Sequence, residues 1–384
     1  MSTVSTLFHS ARKLDAHGQV DDFWMLVDGD TIATTGSGPQ HPFATETVDV
    51  GGHWLVPGFI DLHGHGGGGF AYDGGPDALA SALAMHRSHG TTRSVISLVT
   101  TPLDELLANL EVVAAAAAAD PLVLGSHLEG PFLAPGNRGA HGLEHLLEPS
   151  PMVVDQLLNA ARGTLRQITI APELPNAFEA IDVLVEAGVA VAVGHTLADE
   201  ALTQRAFDAG ARMLTHAFNA MPGIHHRAPG PVVAAFDDDR VTLELIVDGM
   251  HVHPSVVRLA FGAAPGRIAL VTDAMAAAGS SDGDYTLGAR DVTVRDGLAT
   301  IRGTATIAGS TLTQDAALRH AIADARILPV DAVTALTLTP ARALGLDHRH
   351  GHRLGLLAPG FAADAVLLDH EWNVTGVWAD GARI

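Results

Sequence analysis

The stretch PGFIDLHGHGGGG, Pro57–Gly69, shows the pattern on which the fold prediction depends. A short apolar run, Phe59–Leu62, is followed by two histidines and a glycine-rich segment. Similar short apolar runs recur along the chain, and they alternate with stretches rich in alanine and leucine that are typical of helices. Repeated strand–helix alternation predicts parallel strands with helices outside them.

Eight such runs can be identified between the two ends of the chain. They are Phe59–Leu62, Ser94–Val99, Leu122–Ser126, Gln167–Ala171, Val189–Val193, Arg212–Leu214, Thr242–Val247 and Arg267–Thr272. Predicted helices between them include Asp77–His89, Leu103–Ala119, Pro151–Arg162, Ala177–Ala187 and Asp199–Asp208. Eight units over about 300 residues favour a (β/α)8 barrel. An open doubly wound sheet is the alternative, but no G-x-G-x-x-G follows a predicted strand.

The two ends of the chain have a different pattern, with short apolar runs and tight turns. An Asp-Gly pair inside Trp24–Gly36 predicts a hairpin, and similar runs lie at Ala363–Asp369 and Thr375–Ile384. Chain ends often lie close together, so we expect them to share one small sheet domain. The predicted units are a small β-sandwich domain from residues 1–56 plus 358–384, a barrel over residues 57–357, and a β-hairpin insertion around residues 280–308.

The composition excludes several classes of function. The chain has 384 residues, 43 Asp+Glu against 22 Lys+Arg, a net charge of −21, and no cysteine. Nucleic-acid binding needs clustered positive charge, and thiolate metal sites or a cysteine nucleophile need cysteine. The first 15 residues contain no apolar segment of the kind found in secretory signals, so we expect none, and no apolar run is long enough to span a bilayer. We therefore expect a cytoplasmic protein with neither a nucleic-acid nor a membrane partner.

The predicted strand ends carry residues that bind metals. His63 and His65 are two positions apart, so in a strand both side chains face the same side and can reach one ion. Four other runs are followed by a histidine or a carboxylate: Glu129, His195, His216 and Asp273. Barrel enzymes assemble their sites at this end of the strands, so the pattern predicts a catalytic metal centre.

The ligand set is imidazole and carboxylate, which suits Zn²⁺, Fe²⁺, Mn²⁺ or Co²⁺. A catalytic metal keeps a position for water and lowers its pKa. Asp273 is then the natural general base for that water, and it could also carry the proton to a leaving amine.

A second cluster, Ala217–Gly230, follows His216. Asn219 can donate hydrogen bonds to an anion, and Arg227 lies in a Gly/Pro-rich loop suited to a phosphate or carboxylate. His141, on the loop after Glu129, and His251, after the seventh run, are further candidates.

Several motifs spread over nearly the whole chain resemble one known family. They are VPGFIDLHGHG, HLEGPFL, GAHG, VGHT, THAFNAMP, DGMHVHP, LVTDAM, AGSTLT and GFAADAVLLD. The set is similar to that of the N-acetylglucosamine-6-phosphate deacetylases in the amidohydrolase superfamily. The resemblance implies a barrel with a small β-domain. It also implies metal-dependent hydrolysis of the acetamide of N-acetylglucosamine 6-phosphate to glucosamine 6-phosphate and acetate, with metal-bound water as nucleophile.

The resemblance also implies roles for individual residues and for partners. One or two divalent ions per subunit are implied, with Zn²⁺ as first choice, and the subunits would form a homodimer in which the arginine loop reaches into the neighbour's site. The implied ligands are Glu129, His195 and His216 for a shared metal, and His63 and His65 for a second one, with Asp273 as the catalytic acid–base. The implied substrate-binding positions are Asn219, Ala220 and Arg227 for phosphate, His141 and His251 for the sugar or carbonyl, and Ala140, Ile307, Ala308 and Gly309 in the sugar pocket.

Two alternatives remain. Another amidohydrolase would cleave an N-acyl amino acid or a cyclic amide. Many such enzymes bridge two metals with a carboxylated lysine at a strand end, whereas the one lysine here, Lys13, lies outside the predicted barrel, which makes Glu129 the best replacement. A non-catalytic barrel paralogue would be expected to lack metal ligands that are present in this chain.

Overall fold

In a computed structural model of the chain, which describes residues 5–348 and 353–384, eight parallel strands form a nearly closed barrel. In chain order the barrel strands are Phe59–Asp61, Thr91–Val99, Val123–Glu129, Leu165–Ile170, Ala190–Val193, Met213–Leu214, Thr242–Ile246 and Ile268–Val271. A parallel bridge between Gly64 and Ala274 joins the ends of the first and eighth strands. The predicted (β/α)8 fold is confirmed, and each barrel strand overlaps one of the predicted apolar runs.

Burial explains why these runs are largely apolar. Every residue of Thr91–Val99 and of Ile268–Val271 is buried. Parallel barrel strands face a packed interior on one side and helices on the other, so neither face needs polar residues. Polar side chains are therefore informative where they do occur on these strands.

The helices surround this barrel. In the described residues they are Pro76–Ser88, Leu103–Ala119, Pro151–Ala161, Ala177–Glu186, Glu200–Asp208, Gly230–Asp237, Pro254–Ala263, Gln314–Ala323, Pro329–Leu336 and Leu338–Ala343, with short 3₁₀ turns at Pro135–Asn137 and Leu143–His145. All five helices predicted between the barrel strands are present, whereas Gly230–Asp237, Pro254–Ala263 and Leu338–Ala343 were not predicted. None of the helices in this part of the chain is both long and apolar enough to cross a membrane.

The two chain ends share one antiparallel-rich sheet. Its strands are Ser5–Asp15, Gly18–Asp28, Thr31–Ser37, Glu46–Asp49, Trp54–Pro57, Ala365–Leu368, Val374–Ala379 and Ala382–Arg383. Trp54–Pro57 pairs with Ser5–Asp15 on one side and with Ala365–Leu368 on the other, so the sheet is completed only by both ends. The boundaries of the two domains stay a prediction, and residues 1–4 and 349–352 of those ranges lie outside the described residues.

The insertion after the eighth barrel strand differs from the prediction. Instead of a hairpin it is a three-stranded antiparallel sheet of Gly283–Leu287, Arg290–Arg295 and Leu298–Ile301. The third strand follows a second tight turn at Asp296 and Gly297, whose φ angles are 51° and 76°. Two successive positive φ values suit the turn type that joins adjacent antiparallel strands. A smaller two-stranded ribbon, Gly66–Gly67 with Phe70–Ala71, follows the first barrel strand.

A buried ion pair joins the barrel to the terminal sheet. Arg93, on the second barrel strand, donates from Nε to Asp364 at 2.7 Å and from an η nitrogen to its other oxygen at 3.0 Å. Asp364 directly precedes the strand Ala365–Leu368 and also accepts from the backbone N–H of Asp380 at 2.9 Å. The pair is a bidentate contact at the boundary between the two sheets.

Replacing Asp364 with alanine is expected to destabilise the protein by about 3 kcal/mol, because the buried guanidinium loses its bidentate carboxylate and keeps only its contact with Asp380. Thermal unfolding should show this as a fall of several degrees in Tm. The matched control is Asp284→Ala, which removes an exposed ion pair to Arg302 (3.2 Å) and should leave Tm unchanged. Equal shifts for the two variants would contradict the assigned role of the buried pair.

Candidate metal centre and active site

The candidate site lies at the carboxyl ends of the barrel strands. Glu129 ends the third strand, and His63, His195, His216 and Asp273 each follow the end of another strand. The backbone is left-handed at three of these positions, with φ of 46° at His195, 25° at His216 and 47° at Asp273. Such backbone is uncommon outside glycine and clusters at functional sites. All five predicted strand-end residues, together with His65, meet in one buried cluster.

Glu129 lies at the centre of this cluster. One of its carboxylate oxygens is 2.9 Å from Nε2 of His195 and 3.1 Å from Nε2 of His216. The other oxygen is 3.2 Å from Nε2 of His65 and 3.3 Å from Nε2 of His141. Glu129 therefore touches both predicted ligand groups, as expected of a carboxylate that bridges two metal positions.

Asp273 contacts the same histidine pair as Glu129. Its Oδ1 is 3.1 Å from Nε2 of His65 and 3.5 Å from Nε2 of His63. Asp273 is 7% exposed, so it is buried but still reaches the surface of the cavity described below. It can contact both a bound metal and a substrate.

The charges in the cluster are strongly coupled. Burial opposes ionisation of Glu129, but the charge of His63 and the hydrogen bonds of His141 and His195 outweigh it and hold the Glu129 pKa well below its ordinary value. Burial likewise opposes ionisation of Asp273, and His63 and His65 lower its pKa. Burial opposes charge on His65 too, yet hydrogen bonds to Asp273 and Glu129 raise its pKa to about 9. The two carboxylates are thus ionised and attract positive charge.

The hydrogen bonds behind the ligands show that a cation fits here. Nδ1–H of His195 donates to the carbonyl oxygen of Asn137 at 2.9 Å, which leaves its Nε2 as a lone pair. That Nε2 lies 3.0 Å from Nε2 of His216, and both face the same carboxylate oxygen of Glu129. Acceptors that converge in this way are stabilised by a proton or a metal ion between them. The donor set of imidazole and carboxylate suits a divalent transition metal.

Two overlapping groups of residues could each hold one ion. His63, His65, Glu129 and Asp273 form one group, and Glu129, His141 and His195 form the other, with the ligand atoms of each group within 4.8 Å of one another. His141 has a different hydrogen-bond pattern, however. The backbone N–H of Thr100 donates to its Nδ1 at 3.3 Å, so the ring proton is on Nε2. We therefore interpret His141 as a hydrogen-bond donor beside the metal position.

A cavity of about 470 Å³ opens above the cluster. Its lining residues are His65, Glu129, Gly136, Asn137, Arg138, Gly139, Ala140, His141, His195, His216, Asn219, Ala220, His251, Asp273, Leu287, Thr306, Ile307 and Gly309. Most of the predicted substrate-binding residues are among them. The volume is typical of a site for a small molecule.

The segment Ile307–Gly309 brings main chain close to the backbone of Asp273. Ile307 and Gly309 line the cavity, whereas Ala308 is fully buried behind them. Gly309 has a φ of 65°, and a Cβ there would lie 3.0 Å from the carbonyl oxygen of Asp273. Both the backbone conformation and the close approach therefore require glycine.

His251 has a carboxylate partner at the cavity wall. Its Nδ1–H donates to Asp248 at 2.6 Å, and its backbone N–H donates to the other Asp248 oxygen at 2.8 Å. Burial opposes charge on His251, but Asp248 raises its pKa. The pair presents a fixed imidazole to the cavity.

Arg227 is a predicted substrate-binding residue that does not line the cavity of this chain. It is exposed, and an η nitrogen lies 2.7 Å from Nε2 of His226. Asn219 lines the cavity, with its side-chain amide donating to the carbonyl oxygen of His216 at 3.2 Å.

Sequence reasoning missed two charged residues at the site. Arg138 lines the cavity, and its position directly before the GAHG motif was an available signal. Glu244 is completely buried beneath the histidines, and its signal was a carboxylate inside the seventh apolar run. Neither was predicted, because a single charge in a loop or a strand is more often structural.

Comparisons with known proteins agree with this architecture. Residues 54–384 match the model of the amidohydrolase family. The chain is similar to the N-acetylgalactosamine-6-phosphate deacetylase of Escherichia coli O157:H7, with 38% identity over 98% of this chain and 99% of the relative. It is also similar to the human N-acetylglucosamine-6-phosphate deacetylase, with 36% identity over 89% of this chain and 86% of the relative.

Solved structures give the same result. The N-acetyl-D-glucosamine-6-phosphate deacetylase of Mycobacterium smegmatis superposes with a TM-score of 0.93 at 41% identity, covering 99% of this chain and 100% of that one. A point mutant of the same enzyme in complex with N-acetyl-D-glucosamine-6-phosphate gives the same score and identity, covering 100% of this chain and 99% of that one.

Proposed function

This chain belongs to the amidohydrolase family and, within it, to the deacetylases of amino-sugar phosphates, and from that premise we propose that it hydrolyses N-acetylglucosamine 6-phosphate. The products are glucosamine 6-phosphate and acetate. The observation that carries the proposal is the buried cluster of Glu129 and Asp273 with four histidines at the floor of a cavity sized for a small molecule. Acetate release from the sugar phosphate is the experiment that tests it.

The residues of the site have different roles in the proposed hydrolysis. A bound divalent metal, for which Zn²⁺ is our first choice, supplies an acidified water and polarises the amide carbonyl. His195, His216 and Glu129 would hold one ion, and His63, His65 and Glu129 a second. Asp273 accepts the proton of the attacking water and returns it to the amine nitrogen as the C–N bond breaks.

His141 has a separate role in this proposal. Its ring carries the proton on Nε2, because Thr100 donates to Nδ1. The Nε2–H can therefore donate to the acetyl oxygen as negative charge develops there. Burial lowers the pKa of His141, which favours the neutral ring that this role needs.

The 4-epimer, N-acetylgalactosamine 6-phosphate, is a second candidate substrate, because a relative with 38% identity over nearly its whole length is named for that sugar. The acetamide and the phosphate are common to both sugars, so the chemistry at the metal is unchanged. Measuring kcat/KM for the two epimers with the same enzyme preparation decides between them.

The alternative of a carboxylated lysine bridge is disfavoured, since Lys13 is bound to Asp15 at 2.8 Å in the terminal sheet.

We also propose a homodimer in which Arg227 binds the phosphate in its partner's cavity. The support is that Arg227 is exposed and lies outside its own cavity, on a loop that also exposes Ile224 at 47%. A C2 dimer would place the two loops symmetrically.

Subunit mixing tests this arrangement. Arg227→Ala and Asp273→Asn should each be nearly inactive, but a coexpressed mixture should recover about a quarter of wild-type activity, because half the dimers are mixed and each mixed dimer has one intact site. Acetate release from the purified mixture gives the readout. The control is each variant expressed and purified on its own. Failure to recover activity while mixed dimers are present would show that Arg227 acts within its own subunit.

A further inference from the structure

Glu244 is a charged residue that the proposed reaction does not use. It lies on the seventh barrel strand, Thr242–Ile246, and its accessible surface is 0%. A buried carboxylate is costly unless hydrogen bonds compensate for the lost water. Its neighbouring residues on that strand are apolar, so the presence of a carboxylate at this position needs an explanation.

Three hydrogen bonds account for the buried charge. One Glu244 oxygen accepts from the side-chain amide of Gln167 at 2.6 Å. The other accepts from Nδ1–H of His63 at 3.1 Å and from the backbone N–H of His216 at 3.3 Å. A single carboxylate oxygen thus contacts a side chain from one predicted ligand group and the backbone of a ligand from the other.

The contact with His63 determines which ring nitrogen can bind a metal. Both oxygens of Glu244 accept N–H donors, from Gln167 and from the His216 backbone, so Nδ1 of His63 is likewise the donor in its contact and carries the proton. Nε2 is then the ring nitrogen that can bind a metal, and it lies 3.2 Å from Nε2 of His65 and 3.5 Å from Glu129. Glu244 therefore orients His63 with its lone pair toward the metal position.

The other histidines of the cluster lack such a carboxylate behind the ring. Nδ1 of His195 is bound by a neutral carbonyl, that of Asn137. Within residues 5–348 and 353–384, Nδ1 of His65 and Nδ1 of His216 have no hydrogen-bond partner. Carboxylate support raises the basicity of a metal-binding imidazole more than a carbonyl does. The histidine pair therefore depends on Glu244 for its charged support.

We propose that Glu244 is a positioning residue that fixes the tautomer and basicity of His63 and thereby sets how tightly the His63–His65 metal site is filled. Gln167 holds the carboxylate in place. The inference rests on the proposed metal centre but is independent of which amino sugar is the substrate.

Metal binding by two variants tests the proposal. Glu244→Leu removes the acceptor, and the second Zn²⁺ per chain should bind about 10–100-fold more weakly. Glu244→Gln keeps an acceptor but loses the charge, so its affinity should be intermediate. Zn²⁺ affinity is measured by competition with a chelator, and bound metal by elemental analysis. Glu173→Gln is the matched control, because this carboxylate bonds Thr196 and the Leu197 backbone near the site and contacts no metal-binding ring.

A spectroscopic readout separates positioning from a general structural role. In ¹⁵N-histidine-labelled, Zn²⁺-loaded protein, His63 should show protonated Nδ1 in the wild type and in Glu244→Gln, and lose that signal in Glu244→Leu. Should Glu244→Leu fail to fold, Glu244→Gln alone decides through its weakened second ion. A wild-type chain that binds a single ion, or variants that hold the second ion as tightly as the wild type, would overturn the proposal. A wild-type protein that binds both ions but releases no acetate from the sugar phosphate would instead count against the proposed reaction.

Discussion

Replacing Asp273 with asparagine is expected to lower kcat for acetate release by about 10²–10⁴-fold. The substitution keeps the shape of the side chain but removes its ability to hold a proton. Because Asp273 is assigned both the deprotonation of water and the protonation of the amine, no other group at the cavity floor replaces it in both steps. Its Oδ1 is 3.1 Å from Nε2 of His65, so a change in metal binding must be measured alongside activity.

The measurement therefore combines single-turnover acetate release with metal content for the same samples. Asp284→Asn, an identical change at an exposed position on the inserted sheet, is the control and should match the wild type. Activity of Asp273→Asn within tenfold of the wild type at equal metal content would show that another residue moves the proton.

Removal of the phosphate from the substrate is the second large effect. We expect kcat/KM for N-acetylglucosamine to be roughly 10²–10⁴-fold below that for its 6-phosphate, which is the effect of losing about two hydrogen bonds to a charged group. Arg227 from the partner, with Asn219 and the main chain at Ala220, provides those contacts in the proposed dimer. Phosphate binding far from the amide also positions the acetyl group over the metal centre, so kcat as well as KM should change.

Comparing the two sugars in Arg227→Ala sharpens this test. The variant should lose most of the preference for the phosphorylated sugar, while its activity on the unphosphorylated sugar stays close to that of the wild type. Equal kcat/KM values for the two sugars with the wild-type enzyme would rule out the phosphate role.

The barrel could be predicted because its strands are buried on both faces. Such strands appear in the sequence as short, largely apolar runs, and the histidines and carboxylates at their ends stand out against them. Since the carboxyl ends of barrel strands share one face, residues as distant as His63 and Asp273 could be placed together without a structure. Their contact at 3.5 Å follows from that topology.

Other features depend on three-dimensional contacts that leave no local pattern. Glu244 lies within an apolar run, and only the structure shows that it faces His63. The proton position on His141 follows from the backbone of Thr100, which is distant in sequence. The third strand of the insertion was missed because the turn at Asp296–Gly297 was not recognised as a second hairpin.

The most direct test of metal-dependent deacetylation is acetate release from N-acetylglucosamine 6-phosphate by three samples. They are wild-type protein treated with a chelator, wild-type protein reconstituted with Zn²⁺, and the Asp273→Asn variant reconstituted with Zn²⁺. We predict turnover in the reconstituted wild type, its loss on chelation, and a metal-loaded but inactive variant. Absence of acetate from wild-type protein loaded in turn with Zn²⁺, Mn²⁺, Fe²⁺ and Co²⁺ would contradict the account.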